Sequence, residues 1–144
     1  MSSTTISGIE DLSVGMSASI SKIVTADDIV KFSEVSTDIN PVHLDAAYAA
    51  STPFKGIIAH GMLSASFISA VLANKLPGPG TVYLGQSLKF KAPVRPGDEV
   101  TATVTIKEIV IEKQRIVFDT VCIVAGKAVI EGEATVMFAS RKPK

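Results

Sequence analysis

Gly61-Met62-Leu63-Ser64-Ala65-Ser66-Phe67-Ile68-Ser69-Ala70-Val71-Leu72-Ala73-Asn74-Lys75-Leu76 decides the fold, because it carries no charge before Lys75 and is apolar on nearly every side. Pro77-Gly78-Pro79-Gly80 ends it. At 1.5 Å rise per residue the segment spans roughly 24 Å, short of a bilayer core, so it predicts a helix buried within protein rather than a membrane span. Such a helix needs a wrapper, and the downstream chain supplies one. Residues 81–91, 99–110, 114–125 and 127–139 are runs rich in Val, Ile, Thr and Phe. They are separated by 93–98 with its two prolines and Gly97, by Glu112-Lys113 and by Gly126. With the loosely alternating stretch 16–24 this makes five strands, mostly antiparallel by hairpin logic. The expected class is α+β, a curved sheet around one long central helix.

Working outward, Thr25-Ala26-Asp27-Asp28 is a variant capping box that starts a short helix over 26–36. Pro41 lacks an N–H and pushes Asn40 toward extended geometry, so 37–42 is expected to be irregular. Asp45 can cap a further short piece through Ala50. The chain of 144 residues, 47% apolar and 19% charged, reads as one domain over 1–144, with tails only in the first eight and last five residues. The single Cys122 forms no intrachain bridge, and the first fifteen residues lack both a basic region and an apolar run. A cytoplasmic location is therefore the expectation.

Fourteen Lys and Arg balance fourteen Asp and Glu, which argues against nucleic acid as the main partner. The balance is local, however. Residues 46–97 hold no acid and five bases, Lys55, Lys75, Lys89, Lys91 and Arg95. Either this third is mostly core with snorkelling bases, or it faces an anionic small molecule. A mean hydropathy of +0.37 points to extra burial in an oligomer interface.

Asp38-Ile39-Asn40-Pro41-Val42-His43 is where a carboxylate and an imidazole fall close together outside any expected helix. On a helix the two would diverge by about 140°, whereas a turn at Asn40-Pro41 brings both to one side as a general acid/base pair. His60-Gly61 precedes the buried helix, where unpaired N–H groups and a glycine offer an oxyanion hole; His60 itself reads as a residue bonded to neighbouring backbone. Two histidines seventeen residues apart and one cysteine give no metal-ligand spacing, so no metal is expected. Cys122 reads as a small core residue.

Asp38-x-Asn40-Pro41-x-His43, then His60-Gly61-Met62 opening an apolar helix, then 83–94 (Tyr-Leu-Gly-Gln-Ser-Leu-Lys-Phe-Lys-Ala-Pro-Val) and Gly97-Asp98 closely resemble the MaoC-like (R)-specific enoyl-CoA hydratases. The likeness is strongest to the short single-domain kind that supplies polyhydroxyalkanoate synthesis, and it spans about residues 12–138. It implies a hotdog fold acting as a homodimer, with no cofactor beyond the coenzyme A of an acyl-CoA substrate, and syn hydration of trans-2-enoyl-CoA to (R)-3-hydroxyacyl-CoA. By position, Asp38 and His43 match the family's catalytic pair and Gly61 its backbone donor to the thioester oxygen. Ser69 matches a polar residue near that pair, and Asn40 belongs to the same substrate-facing motif. The basic middle third then has a partner in the CoA phosphates.

At 100° per residue, Met62, Ala65, Ser66, Ser69, Leu72 and Ala73 share one, mostly small, face of the helix. Leu63, Phe67, Ala70 and Val71 lie opposite. The small face is expected to leave room for an acyl chain, with Leu72 as its floor. Rival functions on the same fold are an acyl-CoA thioesterase, a 3-hydroxyacyl-thioester dehydratase acting on carrier protein, and a non-catalytic acyl-CoA-binding domain. Loss of Asp38 or His43 would mark the last, and both are present.

Overall fold

A computed structural model describes residues 5–141, so residues 1–4 and 142–144 of the expected tails lie outside it. The order is β1 (Ser17–Ile23), α1 (Ala26–Ser36), α2 (Pro41–Leu44), α3 (Ala46–Ala50), α4 (Gly61–Asn74), β2 (Val82–Gln86), β3 (Lys89–Phe90), β4 (Glu99–Val110), β5 (Arg115–Val124) and β6 (Lys127–Met137). One antiparallel sheet runs β1-β4-β5-β6-β2, and β3 also pairs with β6.

The sheet has six strands where the sequence reading has five. The run 81–91 breaks because Ser87 folds across Gly132 of β6: a Cβ on Gly132 would lie 1.8 Å from the Ser87 carbonyl oxygen. Glu133 holds the break from both sides, its carbonyl accepting from Ser87 N–H (2.8 Å) and its N–H donating to Ser87 Oγ (3.0 Å). Register shifts at Ile106/Glu108, Cys122/Ile123 and Tyr83/Gly85 bend the long strands, which is how a sheet curls onto a helix.

Alternation along β4 and β5 sorts the faces. Val100, Ala102, Val104, Ile106, Ile116, Phe118 and Cys122 are buried on the inner side. Outside, Ser17, Ser19 and Ser21 pair their hydroxyls with Thr105, Thr103 and Thr101 at 3.2, 2.7 and 2.8 Å. Leu63, Phe67, Ile68 and Val71 of α4 press into the inner face. Burying such side chains is worth about 1.5–3 kcal/mol each, so this contact dominates the core.

The sheet covers α4 on one side only. Met62 is 55% exposed, and Ser66, Ala73 and Asn74 are also exposed, because small and polar residues recur along that stripe. Leu72 departs from its neighbours on the small face, being fully buried.

Thr25 and Asp28 form the capping box reciprocally, each accepting at 3.0 Å. Asp45 caps α3 by accepting from Tyr48 N–H. Pro41 does not keep its whole neighbourhood irregular: it occupies the first position of α2, where a missing N–H costs nothing. The irregular stretch is thus 37–40, and His43 is on a helical turn.

The chain ends near 8 and 141 are not loose tails. Ile9 N–H donates to Ala139 O (3.1 Å), Arg141 Nη1 lies 2.6 Å from Asp11 Oδ1, and Ser140 Oγ donates to Glu10. Among the described residues, no helix is long and apolar enough to cross a membrane.

Candidate active site

Three local bonds aim the Asp38–His43 pair. Thr37 ends α1 with φ at +67°, turning the chain into the loop that carries Asp38. Asn40 N–H donates to Asp38 Oδ1 (3.3 Å), and Asn40 Oδ1 in turn accepts from Val42 N–H (3.1 Å) to cap α2. Asn40 is therefore engaged in building the turn. His43 Nδ1 lies 2.7 Å from Ile58 O. A carbonyl can only accept, so Nδ1 carries the proton and the neutral ring presents its Nε2 lone pair. That nitrogen lies 4.0 Å from Asp38 Oδ2.

His60 joins them. It is 3% exposed and stacks on His43, with ring centroids 3.8 Å apart and planes inclined by 26°. Burial holds its pKa below the ordinary imidazole value, against an upward pull from the Asp38 carbonyl. Asp38, His43 and His60 offer ligand atoms within 4.8 Å of one another. Two rings stacked nearly parallel, however, hold their in-plane lone pairs side by side rather than converging on one ion, and His60 Nε2 is already spent on backbone. The trio fits a metal poorly.

A cavity of about 490 Å³ opens beside the pair, lined among others by Asp38, His43, Gly61, Met62, Phe90 and Lys91. Gly61 starts α4, and its N-cap His60 gives no side-chain capping bond, so the positive end of the helix meets this cavity uncapped. The Phe90 ring packs on Gly61 so tightly that a Cβ there would lie 2.5 Å from Phe90 Cε1.

Met62 also lines a second, more open cleft of about 520 Å³, with Ala65, Ser66 and Ser69 on one wall and Tyr83, Leu84 and Gln86 on the other. Ser69, Ala65 and Met62 thus sit together. Leu72 is in the core and lines neither space.

The five bases do not form one patch. Lys91 is at the first cavity, and Arg95 donates to the carbonyl of Phe54, another residue of its wall. Lys75 is at the far end of α4, about 20 Å away by helix rise, where it donates to Ser19 O (2.8 Å). Cys122 is fully buried and donates to Ser64 O, and burial pushes its thiol up to about 11. Sequence reasoning missed the parts played by His60, Phe54 and Phe90, since each acts through contacts between distant segments.

A curved antiparallel sheet on one long helix defines a hotdog-fold protein, here with an Asp/His pair and an uncapped helix N-terminus at one end. The chain belongs to the MaoC-like family: the "MaoC like domain" model matches residues 13–132. It is 59% identical over 132 residues to an (R)-specific enoyl-CoA hydratase of Rhodospirillum rubrum, covering 92% of each chain. Among solved structures it resembles the unliganded R-hydratase PhaJ1 of Pseudomonas aeruginosa, with a TM-score of 0.88, 46% identity and coverage of 93% of this chain and 86% of that one. It also resembles the (R)-hydratase of Aeromonas caviae involved in PHA biosynthesis, with a TM-score of 0.85, 45% identity and coverage of 88% and 96%.

Proposed function

We propose that this protein is an (R)-specific enoyl-CoA hydratase, a hydro-lyase that adds water to trans-2-enoyl-CoA to give (R)-3-hydroxyacyl-CoA. The observation that carries the reading is the pair of acceptors, His43 Nε2 and Asp38 Oδ2, 4.0 Å apart and facing one cavity. A water has two protons to donate, one to each acceptor, and is thereby held with its oxygen lone pairs free to attack C3. As the water oxygen bonds to C3, one member of the pair takes a proton from it, and that same proton is passed to C2 from the same side, which gives syn addition and leaves the pair as it began. Attack pushes charge onto the thioester oxygen. Gly61 N–H at the positive end of α4 is the donor for that charge, and one such donor contributes about 3–4 kcal/mol to lowering the barrier. The Phe90 ring leaves no room for a Cβ at Gly61, so only glycine fits where the donor is needed.

The acyl chain runs from Gly61 past Met62 into the second cleft, along Ala65 and Ser69 toward Leu72. Lys91, which lines the first cavity, and Arg95, bonded to the carbonyl of the wall residue Phe54, are the bases that meet the CoA phosphates. The working form is a homodimer, because β2 leaves Val82, Tyr83 and Leu84 about two-fifths exposed on an edge strand beside that cleft. No cofactor enters the chemistry. The reading is tested by mixing purified protein with crotonyl-CoA and following loss of the conjugated enoyl absorbance, with chiral analysis of the product. (R)-3-hydroxybutyryl-CoA is expected. An unchanged enoyl signal together with cleavage of saturated acyl-CoA would replace hydration by thioester hydrolysis.

A further inference from the structure

We infer that His60 is a positioning residue that holds the Asp38 backbone in catalytic register through its Nε2–H, an inference resting on the hydratase reading above. Asp38 sits in a loop with little packing of its own: its neighbours Thr37, Ile39 and Asn40 are all exposed, Ile39 by 69%. The bonds of Asp38 N–H to Ser36 Oγ (3.1 Å) and of Asn40 N–H to Asp38 Oδ1 join residues two apart, so they shape the loop without anchoring it to the core. The Asp38 carbonyl, in contrast, lies 3.0 Å from His60 Nε2, a contact from twenty-two residues along the chain.

Because that carbonyl can only accept, the His60 proton is on Nε2, and Ser33 Oγ at 3.0 Å shares it. His60 Nδ1 is then the bare nitrogen, and it is buried without a partner among the described residues. A ring present only as core filler has no reason to bury an unsatisfied nitrogen, since an unpaired buried polar atom is destabilising. The arrangement makes sense if one N–H is needed at one spot. The same ring supports His43 by stacking and is packed from behind by Phe32 (centroids 4.9 Å apart). Directly after it comes Gly61. One buried side chain thus fixes the carboxylate loop and the imidazole plane, and its backbone begins α4.

Two substitutions separate holding from filling. His60→Phe keeps the ring stack and removes the N–H, while His60→Gln restores an N–H donor and gives up the stack. Holding predicts that His60→Phe lowers kcat by at least about tenfold with KM changed by less than about threefold, and that His60→Gln recovers most of the loss. Filling predicts the reverse order, because Phe is the better core residue; Phe equal to or better than Gln in kcat overturns the inference. His60→Met replaces Phe in the comparison should His60→Phe not fold.

An activity-independent measurement separates this inference from the hydratase reading. The carbonyl ¹³C resonance of Asp38 is expected to move in His60→Phe and to stay near its wild-type position in His60→Gln. If wild type turns over no enoyl-CoA, the hydratase reading fails and this resonance alone judges His60: no movement in His60→Phe rejects it.

Discussion

Asp38 and His43 become a pair through the atoms their other bonds leave free. Ile58 O takes the proton side of His43, Asn40 N–H takes one oxygen of Asp38, and what remains is a lone pair facing a carboxylate oxygen. Asp38→Asn and His43→Gln are each expected to lower kcat by orders of magnitude in a protein that still folds, since the Asp38 side chain is half exposed and glutamine keeps an N–H donor for Ile58 O in place of the largely buried His43 ring. The double substitution should be little worse than either single one, because groups sharing one water act as a unit; steady-state kinetics on the three variants checks this. Cys122 gives a second prediction. Its thiol is held from 9.0 up to about 11 by burial, so above pH 9 the unfolded chain releases a proton that the native chain keeps. Stability from this residue is intact below pH 9 and falls as pH climbs from 9 toward 11. A thiol reagent at about pH 8 should leave the native protein unlabelled and label it fully in denaturant. The pair was legible in the sequence because Asn40-Pro41 announces a turn. His60 was not, because stacking on His43 and bonding to Asp38 are tertiary facts, and a histidine before a helix glycine reads locally as one bonded to neighbouring backbone.

Among the elements, α4 shows most clearly how a pattern becomes a site. Its charge-free run was enough to predict a buried helix, and the angular split between small and bulky residues placed Leu63, Phe67 and Val71 against the sheet. Two features of the surrounding elements were hidden. The break between β2 and β3 depends on Gly132, forty-five positions from Ser87. The turn α2 is hidden because proline reads as a breaker, whereas at the first helical position it is a starter. Leu72 carries the prediction at this scale. It lies beyond Ser69 on the small face, fully buried behind the lining of both spaces, so cutting it back is what would extend the acyl groove inward. Leu72→Ala is expected to move kcat/KM from enoyl chains of about four to six carbons toward longer ones, by about 0.8 kcal/mol per methylene accommodated. Stability should drop by about 2–5 kcal/mol. A chain-length series in which every substrate loses activity equally would leave Leu72 as plain core.

The whole molecule has a polar side and an unfinished side. Its outer sheet face carries the paired Ser and Thr hydroxyls of β1 and β4, while the edge strand β2 and Met62 of α4 present apolar surface. Sedimentation is expected to show twice the 15.1 kDa chain mass, and Leu84→Lys on β2 should shift the protein toward monomer. A wild-type monomer at micromolar concentration would refute the dimer. The scatter of the bases, with Lys75 at the far end of α4, shows the limit of composition at this scale: a charge count along the chain says nothing about which ends of an element the charges occupy. The meeting of the chain's first and last described turns has a consequence of another kind. Gly8 lies so close to Arg141 that a Cβ on it would come within 2.6 Å of the Arg141 backbone nitrogen. Topologically, then, the polypeptide is nearly a ring, cut where Gly8 and Arg141 meet. Joining those ends with a short linker and opening the chain at the Ile111–Lys113 turn, remote in the fold from Asp38, should yield a circular permutant that folds and turns over crotonyl-CoA. Opening the ring at Asn40–Pro41 instead should leave a folded sheet with no turnover, because that cut severs Asp38 from His43.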